Sequence, residues 1–256
     1  MARKNRYKSD KERDYRDFYP TPIGLCREAM KKMRPFQQLY RRSLNINRPT
    51  RVLDIGAGMG VWGKALREVY PDGNFWLMGV DRFFKQSDPA YDGWIVGDFL
   101  DYNPEQKAEF TMGNWPFSMA EGFLLHAREV TTENAVIHSL LRTEFWGSIG
   151  RTKRLWSICS PHQRIRLARR PSFTGDGRSD IAQEYDMYFW HNRDNGRERA
   201  GGFPFMWEFD PEEDFWGKTL EGKMLMQRKI DSLMVDSLLL PTLHKGGEVQ
   251  MTFLEP

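Results

Sequence analysis

Asn114, Trp115, Pro116 and Phe117 follow one another between a short apolar run and a helix-like segment. Together they suit the capture of a flat ring that carries an amine. An exocyclic aromatic amine is a poor nucleophile, because its lone pair is delocalised into the ring. Two acceptors for its hydrogens would pyramidalise the nitrogen and localise that pair. The Asn114 side-chain oxygen can be one acceptor and the Trp115 backbone carbonyl the other. Pro116 biases Trp115 toward extended geometry, which helps fix that carbonyl. Phe117 can then lie against the ring. Such a site works mainly by positioning and electrostatics, and needs no strong general base beforehand. Alone the tetrapeptide is a weak signal, since a chain of this length carries a few such strings.

It gains force from "VLDIGAGMG" at 52–60. Glycine takes φ > 0 and lets a ligand approach the backbone closely, which suits Gly56, Gly58 and Gly60 to a tight turn. The helix that follows offers unpaired N–H groups and a positive dipole end. Nicotinamide dinucleotides and S-adenosylmethionine both use such turns, so the glycines alone do not choose. Asp81 ends the next strand, where an acid can accept from both ribose hydroxyls of either ligand. Asp54, just before the glycines, can face a cationic amino or sulfonium-bearing ligand. Asp98 and Phe99 add an acceptor for an adenine amine and a ring to lie against it. Each acid alone could equally be a helix cap or a loop anchor. As a set they point to a ligand site.

The positioning elements follow from periodicity. Thr21 can cap a helix with Pro22 in its first turn, and Leu25, Ala29, Met30 and Met33 keep helical spacing to about residue 42. Strands are expected at 51–55, 75–81, 94–99, 109–113 and 135–141, with helices at about 60–69 and 118–130. This alternation predicts an α/β chain with a doubly wound, mostly parallel sheet. The glycine turn, Asp81, Asp98 and Asn114 then all fall at carboxyl ends of strands, where such sheets bind ligands. Further strands are expected in "QRIRLARR" and at 184–191, an exposed loop at 192–202, and a helical stripe of core type within 221–240.

Composition sets outer bounds. The hydrophobic share of 40% supports a real core, and much of the 14% aromatic share is expected inside it. Cys26 and Cys159 are the two cysteines, which argues against a disulfide framework or a cysteine metal cluster and suits a reducing cytosol. No run approaches the ~20 apolar residues of a membrane span. The basic N-terminus lacks the apolar stretch of a secretory signal, and residues 1–17 read as a flexible basic arm. Net charge is +3, but Arg151, Lys153, Arg154, Arg164, Arg166, Arg169 and Arg170 form a run without acids. That run is either a polyanion contact, with Arg164 and Arg166 its best candidates, or a solvated face.

The glycine turn, the two strand-end acids and "NWPFSMAEGFLLHA" resemble the amino-group DNA methyltransferases, the N6-adenine branch in particular. That family carries Asn/Asp-Pro-Pro-Tyr/Phe at this site. "DFYPTP" at 17–22 resembles its upstream cofactor segment, and "RRPSFTGDGRSDIAQEYDMYFWH" at 169–191 resembles the hairpin region of small adenine methyltransferases of phages and mobile elements. The resemblance covers about residues 17–191. It implies a seven-stranded Rossmann-like sheet over 18–191, a small C-terminal extension over 192–256, S-adenosylmethionine as cofactor, and a target adenine flipped out of DNA. Carried over residue by residue, Tyr19, Thr21 and Pro22 would line the cofactor, with Asp54, Gly56 and Gly58 around its amino-acid part. Asp81 would take the ribose, and Asp98 and Phe99 the adenine. Asn114 to Phe117 would hold the target base, with Phe173 a second ring against it. No metal is implied. A cytosolic enzyme is expected, in the host cytoplasm if phage-encoded.

Trp115 departs from the family, which has proline there. The acceptor carbonyl survives, but the indole adds bulk. N4-cytosine methylation, an RNA substrate and a catalytically silent cofactor- and DNA-binding relative therefore stay open. A nicotinamide oxidoreductase lacks support, because the five histidines are scattered singly.

Overall fold

The computed structural model describes residues 20–85, 88–173 and 183–193, and the backbone of two short strands at 205–207 and 252–253. The expected arm at 1–17, Tyr19 and the stripe in 221–240 lie outside the described residues.

Two helices, α1 (Ile23–Lys32) and α2 (Arg34–Leu44), precede β1 (Thr50–Ile55). There follow α3 (Val61–Val69), β2 (Phe75–Asp81), β3 (Gly93–Val96), β4 (Ala108–Met112), α4 (Ala120–Glu129) and β5 (Thr131–Arg142). Then come β6 (Gln163–Leu167), β7 (Tyr185–His191), β8 (Phe205–Trp207) and β9 (Thr252–Phe253). One sheet holds all nine strands in the order β8-β6-β7-β5-β4-β1-β2-β3-β9. The seven central strands are the expected Rossmann-like set. β3, β2, β1, β4 and β5 run parallel, while β7 runs antiparallel to both β5 and β6.

Alternation along β1 shows why the sheet is covered on both faces. Val52 joins a core layer with α1, α2 and α3, whereas Leu53 and Ile55 join a second layer with α4. Strands buried on both sides read as nearly continuous apolar runs, and that is what the sequence shows. Phe36 of α2 anchors the first layer through ring contacts with Trp62, Phe110 and Phe189.

Three local expectations are corrected. The stretch expected as one helix is two, because Met33 is extended (φ −88°, ψ 124°) just ahead of Pro35. A proline in the interior of a continuous helix would clash with the carbonyl four residues back, so the chain restarts there instead. Pro22, not Thr21, stands at the start of α1, and no side chain caps that helix. β3 stops at Val96, and Phe99 opens a short 3-10 turn that Asp98 caps by accepting from Leu100 N–H at 3.0 Å.

At the other end of the expected loop, Asn192 is half-buried. Its amide donates to the carbonyls of Arg128, Thr131 and Thr132, which ties the end of β7 to the α4–β5 junction.

Candidate functional site

A cavity of about 290 Å³ opens at the carboxyl ends of the parallel strands. Four segments far apart in sequence build its wall: 56–59 after β1, 81–84 after β2, 97–99 after β3 and 114–119 after β4. Pro20, Thr21, Trp62 and Arg142 are among the other residues that line it.

The turn after β1 needs its glycines. Gly56, Gly58 and Gly60 all have positive φ, at 66°, 56° and 76°. Gly56 and Ala57 N–H groups both donate to Val80 O, which locks the turn onto β2. A β-carbon at Gly56 would lie 3.8 Å from Pro116 Cδ and 4.0 Å from the Asn114 carbonyl oxygen. The turn and the tetrapeptide are therefore in contact, although 58 residues separate Gly56 from Asn114. Behind Asn114, a β-carbon at Gly113 would lie 2.3 Å from Ile55 O, so β4 can leave the sheet this close to β1 only through glycine.

Asp81 lines the cavity. Its carboxylate accepts from the N–H groups of Gly58 (2.8 Å), Phe83 (2.8 Å) and Phe84 (3.0 Å). Burial pushes its pKa up, against the pull of those three donors. Four lone-pair directions serve three donors, so capacity for a further hydroxyl remains. Asp98 also lines the cavity, 3.6 Å from an Arg82 guanidinium nitrogen. Phe99 reaches the wall but is otherwise buried, with Phe123 and His126 edge-on to its ring. Trp62 contributes a buried Nε1–H with no partner among the described residues.

Asp54 is not on the wall. It is fully buried behind the turn, where its Oδ2 accepts from the Tyr91 hydroxyl. That hydroxyl accepts in turn from Gly63 N–H at 3.0 Å, within the first turn of α3. A β-carbon at Gly63 would fall 2.3 Å from the Tyr91 ring. Asp54 thus braces turn and helix from beneath and is not among the residues that line the cavity. Burial pushes its pKa up to about 7; the Tyr91 hydroxyl opposes the rise and the Asp81 charge adds to it. In the unfolded chain the group titrates near its ordinary value of about 3.9. The folded form therefore holds the extra proton between these values. The resulting stabilisation is complete below the unfolded pKa and is lost as pH rises through about 7. Asp54→Asn, fixed in the neutral form, is expected to gain stability relative to the parent as pH goes from 5 to 8. Thermal melts of both proteins across that range check it. A constant difference would mean that Asp54 is charged in the fold throughout.

The tetrapeptide splits between cavity and core. Asn114, Pro116 and Phe117 line the cavity and are half-buried. Trp115 is 1% exposed, with its indole stacked on Trp190 at 6.1 Å and 9°. The bulk that departs from the family pattern therefore packs into the α4 layer, although Trp115 is also among the residues that line the cavity. Arg142, which the sequence did not flag, comes from the end of β5 and stands 4.6 Å over the Phe117 ring. Tyr185 packs on Phe117 at 5.7 Å, and Phe173 packs edge-on to Tyr185 at 5.0 Å. Phe173 is thus one ring removed from Phe117 and does not line the cavity. Pro22 does not line it either.

The basic run at 151–170 is largely engaged within the fold. Arg164 lies 3.5 Å from the buried Asp186 carboxylate and over the Trp146 ring. Arg166 pairs with Asp186 at 2.6 Å and also with Glu184. Arg154 pairs with Glu121 at 3.1 Å. Acids distant in sequence supply these partners, which a local count of charge cannot see.

No protein-family model matches the chain. It is 35% identical over 95 residues to a ribosomal RNA small subunit methyltransferase C of Stutzerimonas stutzeri (strain A1501). That match spans 34% of this chain and 28% of the relative's length. Among solved structures, it is similar to a Listeria monocytogenes protein described as a class I S-adenosylmethionine-dependent methyltransferase. The TM-score is 0.54 at 10% identity, covering 86% of this chain and 73% of that one. With a seven-strand core in the order β6-β7-β5-β4-β1-β2-β3, mostly parallel and covered on both faces, the chain has the class I methyltransferase fold.

Proposed function

We infer that the chain transfers a methyl group from S-adenosylmethionine to the exocyclic N6 amine of adenine in DNA. The observation that supports this reading is the closeness of the Asn114 backbone carbonyl and Pro116 to Gly56, with Asn114, Trp115 and the glycine turn all lining one cavity.

The residues present fit that cofactor. Gly56 and Gly58 offer backbone without a side chain in the way, and Asp81 keeps acceptor capacity for a ribose hydroxyl. Asp98 and Phe99 suit the adenine. The unpartnered Trp62 Nε1–H on the same wall suits an anionic group such as a carboxylate. When bound, S-adenosylmethionine supplies an activated methyl on a positively charged sulfur. The chain's own part is to hold the amine. Asn114 Oδ1 and the Trp115 carbonyl accept its two hydrogens and turn the nitrogen lone pair out of the ring. Phe117, braced by Arg142 and Tyr185, offers a face for the base. Fixed acceptors in a site shielded from water cost no reorganisation when charge develops on the nitrogen.

Incubating the purified protein with labelled cofactor and unmethylated DNA or RNA of varied sequence tests the activity. The reading fails if no label reaches either polymer. An RNA base amine is a second reading, favoured by the local similarity to a ribosomal RNA methyltransferase. Nucleoside digestion and mass analysis of the product distinguish adenine N6 from cytosine N4 and DNA from RNA. Calorimetry that showed cofactor binding without turnover would favour a silent relative. Sequencing that detects modified bases in DNA from cells expressing the chain tests whether DNA is the polymer modified.

A further inference from the structure

Among the described residues, one group of exposed cations lies away from the cavity. Between Glu28 and Asp54 the sequence holds Lys31, Lys32, Arg34, Arg41, Arg42, Arg48 and Arg51 and no acid. The fold gathers them at the end of α1, along α2 and in the turn into β1, and all but Arg51 are exposed. Arg34, Gln38 and Arg41 recur at helical spacing, so they form one polar stripe. The opposite side of α2 is buried through Pro35, Phe36, Leu39 and Ser43.

The acids that reach this group are few. Glu28 serves both Lys31 and Lys32, and the buried Glu109 serves both Arg42 and Arg48. Asp72 accepts from Tyr40 on the flank of α2. Seven cations against three carboxylates leave a surplus of four, above the +3 of the whole chain. Arg34 and Arg41 have no carboxylate partner among the described residues, whereas Arg164 and Arg166 do.

Placement narrows the partner. Glu109 lies near the start of β4, so Arg42 and Arg48 stand at the edge of the sheet opposite the cavity. An 11-residue helix is roughly 16 Å long. A small molecule filling the cavity cannot also cover this face. A polymer with regularly spaced negative charge can, and duplex DNA carries one charge per about 1.7 Å of axis. We propose that the exposed face of α2 docks the phosphate backbone of duplex DNA, outside the base that enters the cavity. The choice of DNA rests on the reading above; the demand for an extended polyanion rests on the surface itself.

The test is the full chain carrying Arg34→Glu and Arg41→Glu together, with Arg34→Lys and Arg41→Lys as the conservative control. Both positions are exposed, so folding should be preserved, and cofactor affinity by calorimetry checks that it is. Fluorescence anisotropy with a labelled DNA duplex, repeated over a salt series, reads the contact. The reversal is expected to weaken binding at least tenfold at low salt. It should also flatten the dependence of log K on log salt by about 0.9 for each lost phosphate contact. The lysine control should keep both. Parent-like affinity and slope in the reversal variant would overturn the docking surface even if methyl transfer to DNA is observed. Loss of binding by the reversal variant, with no transfer to any polymer by the parent, would support the surface and sink the activity instead. Preferential, reversal-sensitive binding of an RNA hairpin or of polyglutamate would overturn DNA as the occupant.

Discussion

Trp115→Pro, which restores the family's residue at this position, is expected to destabilise the protein by about 3 kcal/mol. The indole is almost fully buried between Trp190 and Phe123, with ring centroids 6.1 Å and 6.2 Å away. Removing it leaves a cavity beneath the tetrapeptide. Truncating a large buried aromatic commonly costs about 3–5 kcal/mol. The lower figure applies because Trp115 Nε1 is buried without an acceptor among the described residues, so its removal also relieves an unmet polar group. The midpoint of thermal unfolding should fall by roughly 6–12 °C. Trp115→Phe, which keeps a ring in the stack, should fall less. The acceptor at this position is a main-chain carbonyl, so methyl transfer measured well below both midpoints should persist in all three proteins. A proline variant as stable as the parent would refute the packing role. One that is stable and far more active would mean that the indole obstructs the site after all.

Asn114→Ala should have the largest effect on chemistry. On the proposed function it removes one of two acceptors for the target amine and leaves the glycine turn, Asp81 and Asp98 untouched. Losing one preorganised polar partner of a reacting group costs on the order of 10²–10³ in kcat. Cofactor affinity by calorimetry should not change. Asn114→Asp keeps an acceptor oxygen and should retain part of the activity, in keeping with the Asn/Asp choice of the family it resembles. Loss of cofactor binding in Asn114→Ala would show that the side chain serves the cofactor end instead.

These variants divide along the line between what was legible in the chain and what was not. β1, β2, β4 and α3 stand where periodicity and the glycine turn put them, to within a residue. Strands buried on both faces leave unbroken apolar runs, and a positive-φ turn leaves glycines. Local steric rules are visible to local reading. The helix break at Met33 could have been read from Pro35. The early end of β3 is set by Gly97 and Asp98, which interrupt the apolar run before Phe99, and by the capping bond from Leu100 N–H to Asp98 that turns the chain.

The site divides the same way. That Asn114 to Phe117, Asp81, Asp98 and the glycines lie at strand ends follows from sequence order in a parallel sheet. That Asn114 touches the glycine turn depends on β1 and β4 being neighbours, with Gly113 against Ile55. Charge was the least legible property. Asp54 looked like a ligand for a cation and is a brace under Tyr91. Arg164 and Arg166 looked free and are held by Asp186 and Glu184. Arg34 and Arg41 of α2 have no carboxylate partner among the described residues, because an acid-free stretch meets few acids in space there.

By itself the sequence determined the alternation of strands and helices, the positive-φ turn and the order of strand-end residues, since these depend on neighbours in the chain. Tertiary structure alone decided which side of the sheet Trp115 fills, whether Asp54 meets ligand or core, that Arg142 stands over Phe117, and which arginines remain uncompensated. Burial and ion pairing depend on partners 20 to 70 positions away, such as Asp186 for Arg166 and Glu109 for Arg42, and no local pattern encodes them.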